Sequence, residues 1–208
     1  MNNIRVFFEK KGRAIYISHL DLYRVFQRAV KRCKLPVWET QGFNPHVYIT
    51  FALPLALGVE GVCESLDTKL TEELSFDEIK DRLNSALPRD IRILKVAEQV
   101  NKPTEIEKSE YEINIDCDYN LLQEFFAQER IMTEKKTKRG ISEIDLKPHI
   151  EVVEMREGFI RMRLPSGTEF NINANLVFDA FEKQYSTEIV GMTIKRVEIY
   201  CKNGEIFA

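Results

Sequence analysis

The order of strand-like and helix-like segments constrains the fold of this chain more than any single motif. In the first hundred residues, segments of alternating apolar residues surround two amphipathic segments, each preceded by a serine suited to cap a helix. Ser18 with Asp21 and Ser75 with Glu78 stand close to the spacing of a capping box. The predicted order is β-α-β-β-α-β, the ferredoxin-like arrangement, with helices over 18–34 and 76–87 and extended segments over 4–9, 37–40, 47–52, 62–70 and 91–100.

The rest of the chain repeats this order after a break. Residues 101–108 are polar, contain Pro103 and lack periodicity, which indicates a linker. Further on, strand and helix patterns return in a similar order with an additional hairpin, and 135–140 reads as a basic turn or loop. We therefore predict an α+β protein of two tandem ferredoxin-like domains with antiparallel sheets, over 1–100 and 109–208.

Composition excludes several classes of protein. The chain has 44% hydrophobic and 30% charged residues and no apolar run near the ~18 residues that a membrane helix needs. Its first residues lack a signal-peptide pattern, so we expect a cytoplasmic protein without membrane partners. The four cysteines are scattered, with no pair or neighbouring histidine at metal spacing, so we expect neither a metal nor another cofactor. They also rule out an iron–sulfur cluster held by closely spaced cysteines.

Positive charge is concentrated near the amino terminus. The net charge is −3, yet residues 1–50 carry nine lysines and arginines against three acids. Along the first predicted helix, four of them follow one stripe, Arg24, Arg28, Lys31 and Arg32. Such a face suits a polyanion or an acidic protein, although it also fits an ordinary solvated helix face. Lys138 and Arg139 form a second basic segment that we expect to contribute to the same binding surface.

His19, Asp21 and His46 are candidates for a catalytic site. His19 and Asp21 stand in the first turn of the basic helix, where free N–H groups favour an anion. The helix dipole there lowers the pKa of a histidine and favours the neutral form that a general base needs. Alternatively, His19 only packs at the helix start.

The loop over 41–46 is a candidate for reading a nucleobase. Its sequence, Gln-Gly-Phe-Asn-Pro-His, offers Phe43 for stacking and the amides of Gln41 and Asn44 for hydrogen bonds. The alternative is that Phe43 fills the core and Asn44 makes a turn.

Four blocks of residues together resemble one family. They are Tyr16–Leu22, then Arg24, Phe26, Arg28–Ala29 and Leu35–Pro36, then Gln41–His46, and finally Phe51–Leu55 with Gly58. This combination is similar to the radical-SAM-linked proteins, domain of unknown function 2344, and 138–148 resembles a weaker downstream block. The resemblance implies a stand-alone member that associates with a radical SAM protein, in a family with no established activity and no assigned catalytic residue. Val47–Tyr48 departs from the family pattern.

Three functional hypotheses follow. The first is a non-catalytic accessory module that binds or presents RNA, either tRNA or rRNA, for modification by a radical SAM enzyme. The second is a metal-independent RNA-processing endonuclease with His19 as general base, because tandem ferredoxin-like RNA endonucleases of CRISPR systems resemble this element order; the chain lacks their usual glycine-rich loop near the carboxy terminus. The third is a protein–protein adaptor for the radical SAM partner. The expected binding residues are Arg24, Arg28, Lys31, Arg32, Gln41, Phe43, Asn44, Lys138 and Arg139.

Overall fold

The computed structural model describes residues 2–137, 140–168 and 170–208, which form a mixed α+β structure with antiparallel sheets and four α-helices. The chain divides into two compact units. The first runs from the start of the described chain to Glu105 and also contains Phe207–Ala208, and the second is Ile106–Ile206. Lys138 and Arg139 lie outside the described residues, so the expected second basic segment has no structural description.

The first unit is a four-stranded antiparallel sheet with two helices. Strand β3 lies between β1 and β2, and β4 pairs with the other edge of β1, which gives the strand order β4-β1-β3-β2. The elements in chain order are β1 (Asn2–Lys10), α1 (His19–Arg32), β2 (Ile49–Phe51), β3 (Val59–Leu70), α2 (Phe76–Ala86) and β4 (Ile91–Glu98).

The core of this unit lies between one face of the sheet and the two helices. Alternate residues of β1, namely Ile4, Val6 and Phe8, are buried, as the alternating pattern predicts. The Phe8 and Phe26 rings meet edge to face with their centroids 4.9 Å apart. The buried side chains of α1 form one apolar stripe along the helix, Leu22, Phe26, Ala29 and Val30. Burying each such side chain contributes about 1.5–3 kcal/mol to stability. The stripe therefore fixes which face of α1 remains for function.

The two predicted helices of this unit begin where their caps indicate. Ser18 and Ser75 each accept a hydrogen bond from the backbone N–H three residues further along. The expected strand at 37–40 is reduced to isolated bridges, Val37 with Leu70 and Glu39 with Val47, because this segment forms the stem of a loop.

The second unit repeats a four-stranded antiparallel sheet and adds a separate hairpin. Strands β6 and β7 pair only with each other among the described residues, whereas the main sheet has the order β10-β5-β9-β8. The elements are β5 (Ile106–Asp116), α3 (Tyr119–Ala127), β6 (Met132–Thr137), β7 (Gly140–Asp145), β8 (Glu151–Arg156), β9 (Phe159–Pro165), α4 (Ala174–Tyr185) and β10 (Gly191–Cys201).

Two expectations for this region differ from the structure. The expected linker over 101–108 contains a 3₁₀ turn at Pro103–Glu105, and 106–108 already belong to β5, where Ile106 is buried. Of the expected basic loop at 135–140, the described residues 135–137 belong instead to β6 and Gly140 to β7, because Lys135 pairs with Ser142 and Thr137 with Gly140. In the ranges that the structure describes, no helix is long and apolar enough to cross a membrane.

Candidate functional site

Asp21 is engaged at the start of α1. Its carboxylate accepts a hydrogen bond from the Ser18 hydroxyl at 2.7 Å and another from Arg24 Nη1 at 2.9 Å. The bond from Ser18, followed by that from Arg24, lowers the pKa of Asp21. Both carboxylate oxygens therefore accept hydrogen bonds from residues near the start of the helix, and neither contacts His19.

His19 is the first residue of α1 and lies on the surface, where its ring packs against Phe51. The two ring centroids are 5.1 Å apart in an edge-to-face arrangement. Partial burial against this neighbour is the largest cause that lowers the pKa of His19, and the positive charge of Lys10 acts in the same direction. The negative charge of Glu64 opposes them. The imidazole is therefore neutral at neutral pH and can accept a proton or a hydrogen bond.

Lys10 and Glu64 are charged residues inside the first unit. Lys10 is 1% exposed and Glu64 2% exposed, which is rare for these residue types. The ammonium group of Lys10 donates to the carbonyl of Ile17 at 3.3 Å, in the segment that leads into α1. We call Lys10, His19 and Glu64 the buried-charge cluster, because both buried charges act on His19.

A glycine makes room for the Glu64 side chain. Gly61 lies opposite Lys10 in the pairing of β1 with β3, where the register shifts. A Cβ atom at Gly61 would lie 2.3 Å from Glu64 Oε1, so any larger residue would displace the carboxylate. The sequence alone does not reveal this cluster, since Lys10 and Glu64 lie in different strands and act on His19 only once β1 pairs with β3. The only signal was a lysine at an inward position of the alternating β1 pattern.

The loop over 41–45 stands on a short ladder of hydrogen bonds. The Thr40 N–H donates to the His46 carbonyl at 2.9 Å, and the His46 N–H donates to Thr40 Oγ1 at 3.2 Å. His46 Nδ1 lies 2.9 Å from Thr40 Oγ1 and 3.1 Å from the carbonyl oxygen of Asn44. His46 therefore closes its own loop. The charges of Lys10 and Glu64 act on the pKa of His19, whereas no contact among the described residues joins His19, Asp21 and His46 in one pocket.

Phe43 projects from the tip of this loop. Its side chain is fully exposed, at 107% of the reference area. Gly42, just before it, has a φ of +141°, a backbone conformation that favours glycine. Gln41 and Asn44 are also exposed. The alternative that Phe43 fills the core is therefore wrong.

The basic face of α1 lies beside the stem of this loop. Its four expected residues are all exposed. Arg24 pairs with Asp21, whereas the side chains of Arg28 and Arg32 form no hydrogen bond or ion pair among the described residues. Lys31 Nζ lies 4.0 Å from Glu39 Oε1, which belongs to the stem. The unpaired guanidinium groups and the exposed Phe43 thus belong to neighbouring parts of one surface.

A second aromatic pair flanks the same stem, and sequence reasoning did not single it out. The rings of Trp38 and Tyr48 have centroids 5.6 Å apart. Lys69 Nζ lies 5.6 Å from the centroid of Trp38 and 5.2 Å from that of Tyr48, within cation–π range. All three are partly exposed. The only tryptophan of the chain was the signal that was available.

The described residues contain no group of three or more histidine, cysteine, aspartate or glutamate side chains arranged to hold a metal ion. Among the described residues, no disulfide bond involves any of the four cysteines. The chemistry that the described surface offers is therefore that of a neutral imidazole beside buried charges and of an aromatic loop beside cations.

Comparisons with known proteins give a family but no activity. No curated protein matches the chain. A crystal structure of a Cbf5-Nop10-Gar1 complex contains a similar chain, with 12% identity and a TM-score of 0.46. The match covers 94% of this chain and 48% of the chain in that complex, so this chain spans about half the length of the other. A crystal structure of an unknown protein from Galdieria sulphuraria has 15% identity and a TM-score of 0.30, over 94% of this chain and 98% of that one. A family model described as an uncharacterized protein conserved in bacteria, DUF2344, matches residues 3–174, most of the sequence. The chain therefore belongs to the DUF2344 family.

Proposed function

We propose that this chain is a non-catalytic accessory module of a radical SAM enzyme. The module binds RNA, either tRNA or rRNA, and presents it to that enzyme. One observation carries the RNA part of the proposal: the fully exposed Phe43 stands on a loop whose stem adjoins the basic face of α1. Aromatic rings beside cations bind single-stranded RNA, because bases stack on the rings while phosphates contact the cations. The Trp38 and Tyr48 rings beside Lys69 add a second surface of the same chemistry.

We further propose that both units are ferredoxin-like domains. The strand orders support this, because in each unit the last strand pairs with the first, the first with the third and the third with the second, once the β6–β7 hairpin is regarded as an insertion. Sheets of four strands with two helices on one face are common scaffolds for RNA recognition. This support is a fold-level analogy.

The radical SAM partner enters the proposal through the sequence resemblance of the blocks over 16–58 to radical-SAM-linked proteins. The chain has no closely spaced cysteines that could bind an iron–sulfur cluster. In the proposed arrangement, the partner supplies the radical chemistry and this chain supplies the contacts with RNA.

A salt titration of binding to fluorescently labelled tRNA tests the RNA part. We expect the double variant Arg28→Gln/Arg32→Gln to reduce the slope of log K against log salt by about 1.4–1.8, since each lost phosphate contact removes about 0.7–0.9. Phe43→Ala should weaken binding about tenfold with an unchanged slope, because it removes stacking and no charge. Arg156→Gln, an exposed arginine of the second unit, is the matched control and should change neither quantity.

Two results would contradict the proposal. One is unchanged affinity in both the arginine and the phenylalanine variants. The other is no binding of tRNA by the wild type at low salt, which would leave the basic face for an acidic protein. The adaptor hypothesis would then be tested by whether the radical SAM partner is still captured after nuclease treatment.

A metal-independent endonuclease is a second candidate, because the lowered pKa of His19 makes its imidazole a competent general base. Running each binding sample on a denaturing gel tests it. Intact RNA supports the non-catalytic module. Cleavage that is lost in His19→Gln and retained in His46→Gln would establish the nuclease instead.

A further inference from the structure

The first unit contains an open cleft of about 750 Å³, which is lined by none of the candidate site residues discussed so far. It is formed by the end of β1, the turn that follows it, the start of β3 and the turn between α2 and β4. We propose that this cleft binds a small phosphomonoester, with its phosphate on arginine side chains and a hydroxyl group on Glu60. This inference does not depend on the proposed RNA binding, because no residue of α1 lines the cleft.

Three arginines supply the phosphate site. Arg13, Arg89 and Arg92 all line the cleft and are exposed to solvent. Their side chains form no hydrogen bond or ion pair with any described residue. A guanidinium group offers N–H donors in a planar fork that matches two oxygens of a phosphate. Three such groups facing one cleft are therefore available to an anionic ligand.

Two of the three carboxylates in the cleft are already engaged. Glu9 pairs with Lys11 at 2.7 Å, which neutralises its charge. Asp90 accepts a hydrogen bond from the backbone N–H of Arg13 at 3.0 Å through its Oδ2 atom. Glu9 and Asp90 therefore already have partners, and, among the described residues, neither forms an ion pair with the three guanidinium groups.

The walls of the cleft are fixed to one another. The Lys11 N–H donates to the backbone carbonyl of Asp90 at 2.9 Å, beside the bond from Arg13 to the same residue. Gly12 between them has a φ of +55°, and a Cβ atom there would lie only 3.0 Å from Asp90 Cγ. The turn over 11–13 and the turn that carries Arg89 are thus held together before a ligand arrives, and preorganisation of this kind lowers the cost of binding.

Glu60 determines the rest of the ligand. It lines the cleft, and its carboxylate has no partner among the described residues. A carboxylate repels a phosphate but accepts hydrogen bonds from hydroxyl groups. The cleft is also larger than a single phosphate requires. The ligand class is therefore a phosphomonoester with a free hydroxyl group, the chemistry shared by sugar phosphates and nucleotides.

Calorimetric titrations of the whole chain with inorganic phosphate, ribose 5-phosphate and a nucleoside 5′-monophosphate test the proposal. We expect saturable binding of both phosphomonoesters, each tighter than inorganic phosphate. The double variant Arg13→Gln/Arg92→Gln should weaken both at least tenfold. Arg156→Gln removes an exposed arginine elsewhere and should leave them unchanged, as should Arg28→Gln/Arg32→Gln. Glu60→Gln should lower the affinity for both esters more than the affinity for inorganic phosphate. The ester that binds more tightly shows whether the ligand is a sugar phosphate or a nucleotide.

Three results would overturn the inference. They are no saturable binding of any of the three compounds, equal weakening by Arg13→Gln/Arg92→Gln and by Arg156→Gln, and an effect of Glu60→Gln that is the same for the esters and for inorganic phosphate. Because the substituted arginines are exposed and the carboxylate of the half-buried Glu60 has no partner among the described residues, circular dichroism should give the same spectrum for every variant. If the wild-type chain bound the esters but not tRNA, the proposed function would be contradicted and the inference about the cleft would stand.

Discussion

Arg5 and Asp67 face each other across β1 and β3 in a bidentate ion pair. Arg5 Nε donates to Asp67 Oδ1 at 2.7 Å, and Nη2 donates to Oδ2 at 2.9 Å. The Arg5 side chain is completely buried. Its remaining donors reach the carbonyl oxygens of Asn101 at 2.8 Å and Ala208 at 2.6 Å. One buried cation therefore joins the sheet of the first unit to two distant parts of the sequence.

Asp67→Ala should destabilise the protein strongly. It leaves the buried guanidinium group of Arg5 without its counter-charge, which costs about 3–5 kcal/mol. The free energy of unfolding in urea measures the effect. Glu78→Ala, which breaks the exposed pair with Arg82, is the control and should cost at most about 1 kcal/mol. Similar losses in the two variants would refute a special role for the buried pair.

Phe207→Ala should also destabilise the first unit. The Phe207 ring is 4% exposed, and its centroid lies 4.0 Å from the guanidinium carbon of Arg5. Truncation removes this cation–π contact and the burial of an aromatic side chain, a loss of about 3–5 kcal/mol. Urea unfolding again measures it. Ile206→Ala, at an exposed neighbour, should cost less than about 1 kcal/mol, and an equal cost would contradict the prediction.

Gly61→Ala should cost about 1–3 kcal/mol, since the added methyl group overlaps the carboxylate of Glu64. The double variant Gly61→Ala/Glu64→Ala has no such overlap, so its stability should be higher than the sum of the two single effects predicts. A double-mutant cycle of unfolding free energies measures this coupling. If the two single effects on the unfolding free energy were strictly additive, the position of the Glu64 carboxylate would not require a glycine at position 61.

The pKa of His19, followed by NMR titration, should lie below that of a histidine in an unfolded peptide. Partial burial is the main cause, so Phe51→Ala should raise the pKa towards its ordinary value. Lys10→Met should also raise it by removing a positive charge, whereas Glu64→Gln should lower it further. A pKa that moves in the opposite direction in either charge variant would show that the cluster does not act on His19 as described.

The same shift makes stability depend on pH in a defined direction. Because the folded-state pKa of His19 is lower than the unfolded value of about 6.5, the unfolded chain binds more protons between the two values. The His19 contribution to stability is therefore complete above pH 6.5 and is lost as the pH falls through the folded-state pKa. Unfolding free energies of the wild type and His19→Gln, compared between pH 5 and 8, should diverge in this window only.

Local features of the fold follow from the sequence where the signal is local. Ser18 and Ser75 cap helices at the predicted positions, because a cap depends on residues within one turn. Asp118 and Asn173 cap α3 and α4 in the same way. Strand β7 was missed because the basic residues before it resemble a loop.

The candidate site was predictable only in part. Exposure of the basic face of α1 follows from helical periodicity, because the buried Leu22 and Phe26 lie on another side of the helix. The proximity of Lys10 and Glu64 to His19 depends on the pairing of β1 with β3, and no pattern within one segment reports that register. The loop closure by His46 and the cleft with Arg13 and Arg89 likewise require contacts between segments that are far apart in sequence.

The return of Phe207 and Ala208 to the first unit has a consequence for how the protein is made. During synthesis, the strands and helices of the first unit leave the ribosome before the second unit exists, and amino-terminal domains generally fold first. Arg5, however, obtains its contacts with Phe207 and Ala208 only after residues 106–206 have been translated. In a nascent first unit, the buried guanidinium group of Arg5 therefore lacks these two contacts until the ribosome has translated Phe207 and Ala208.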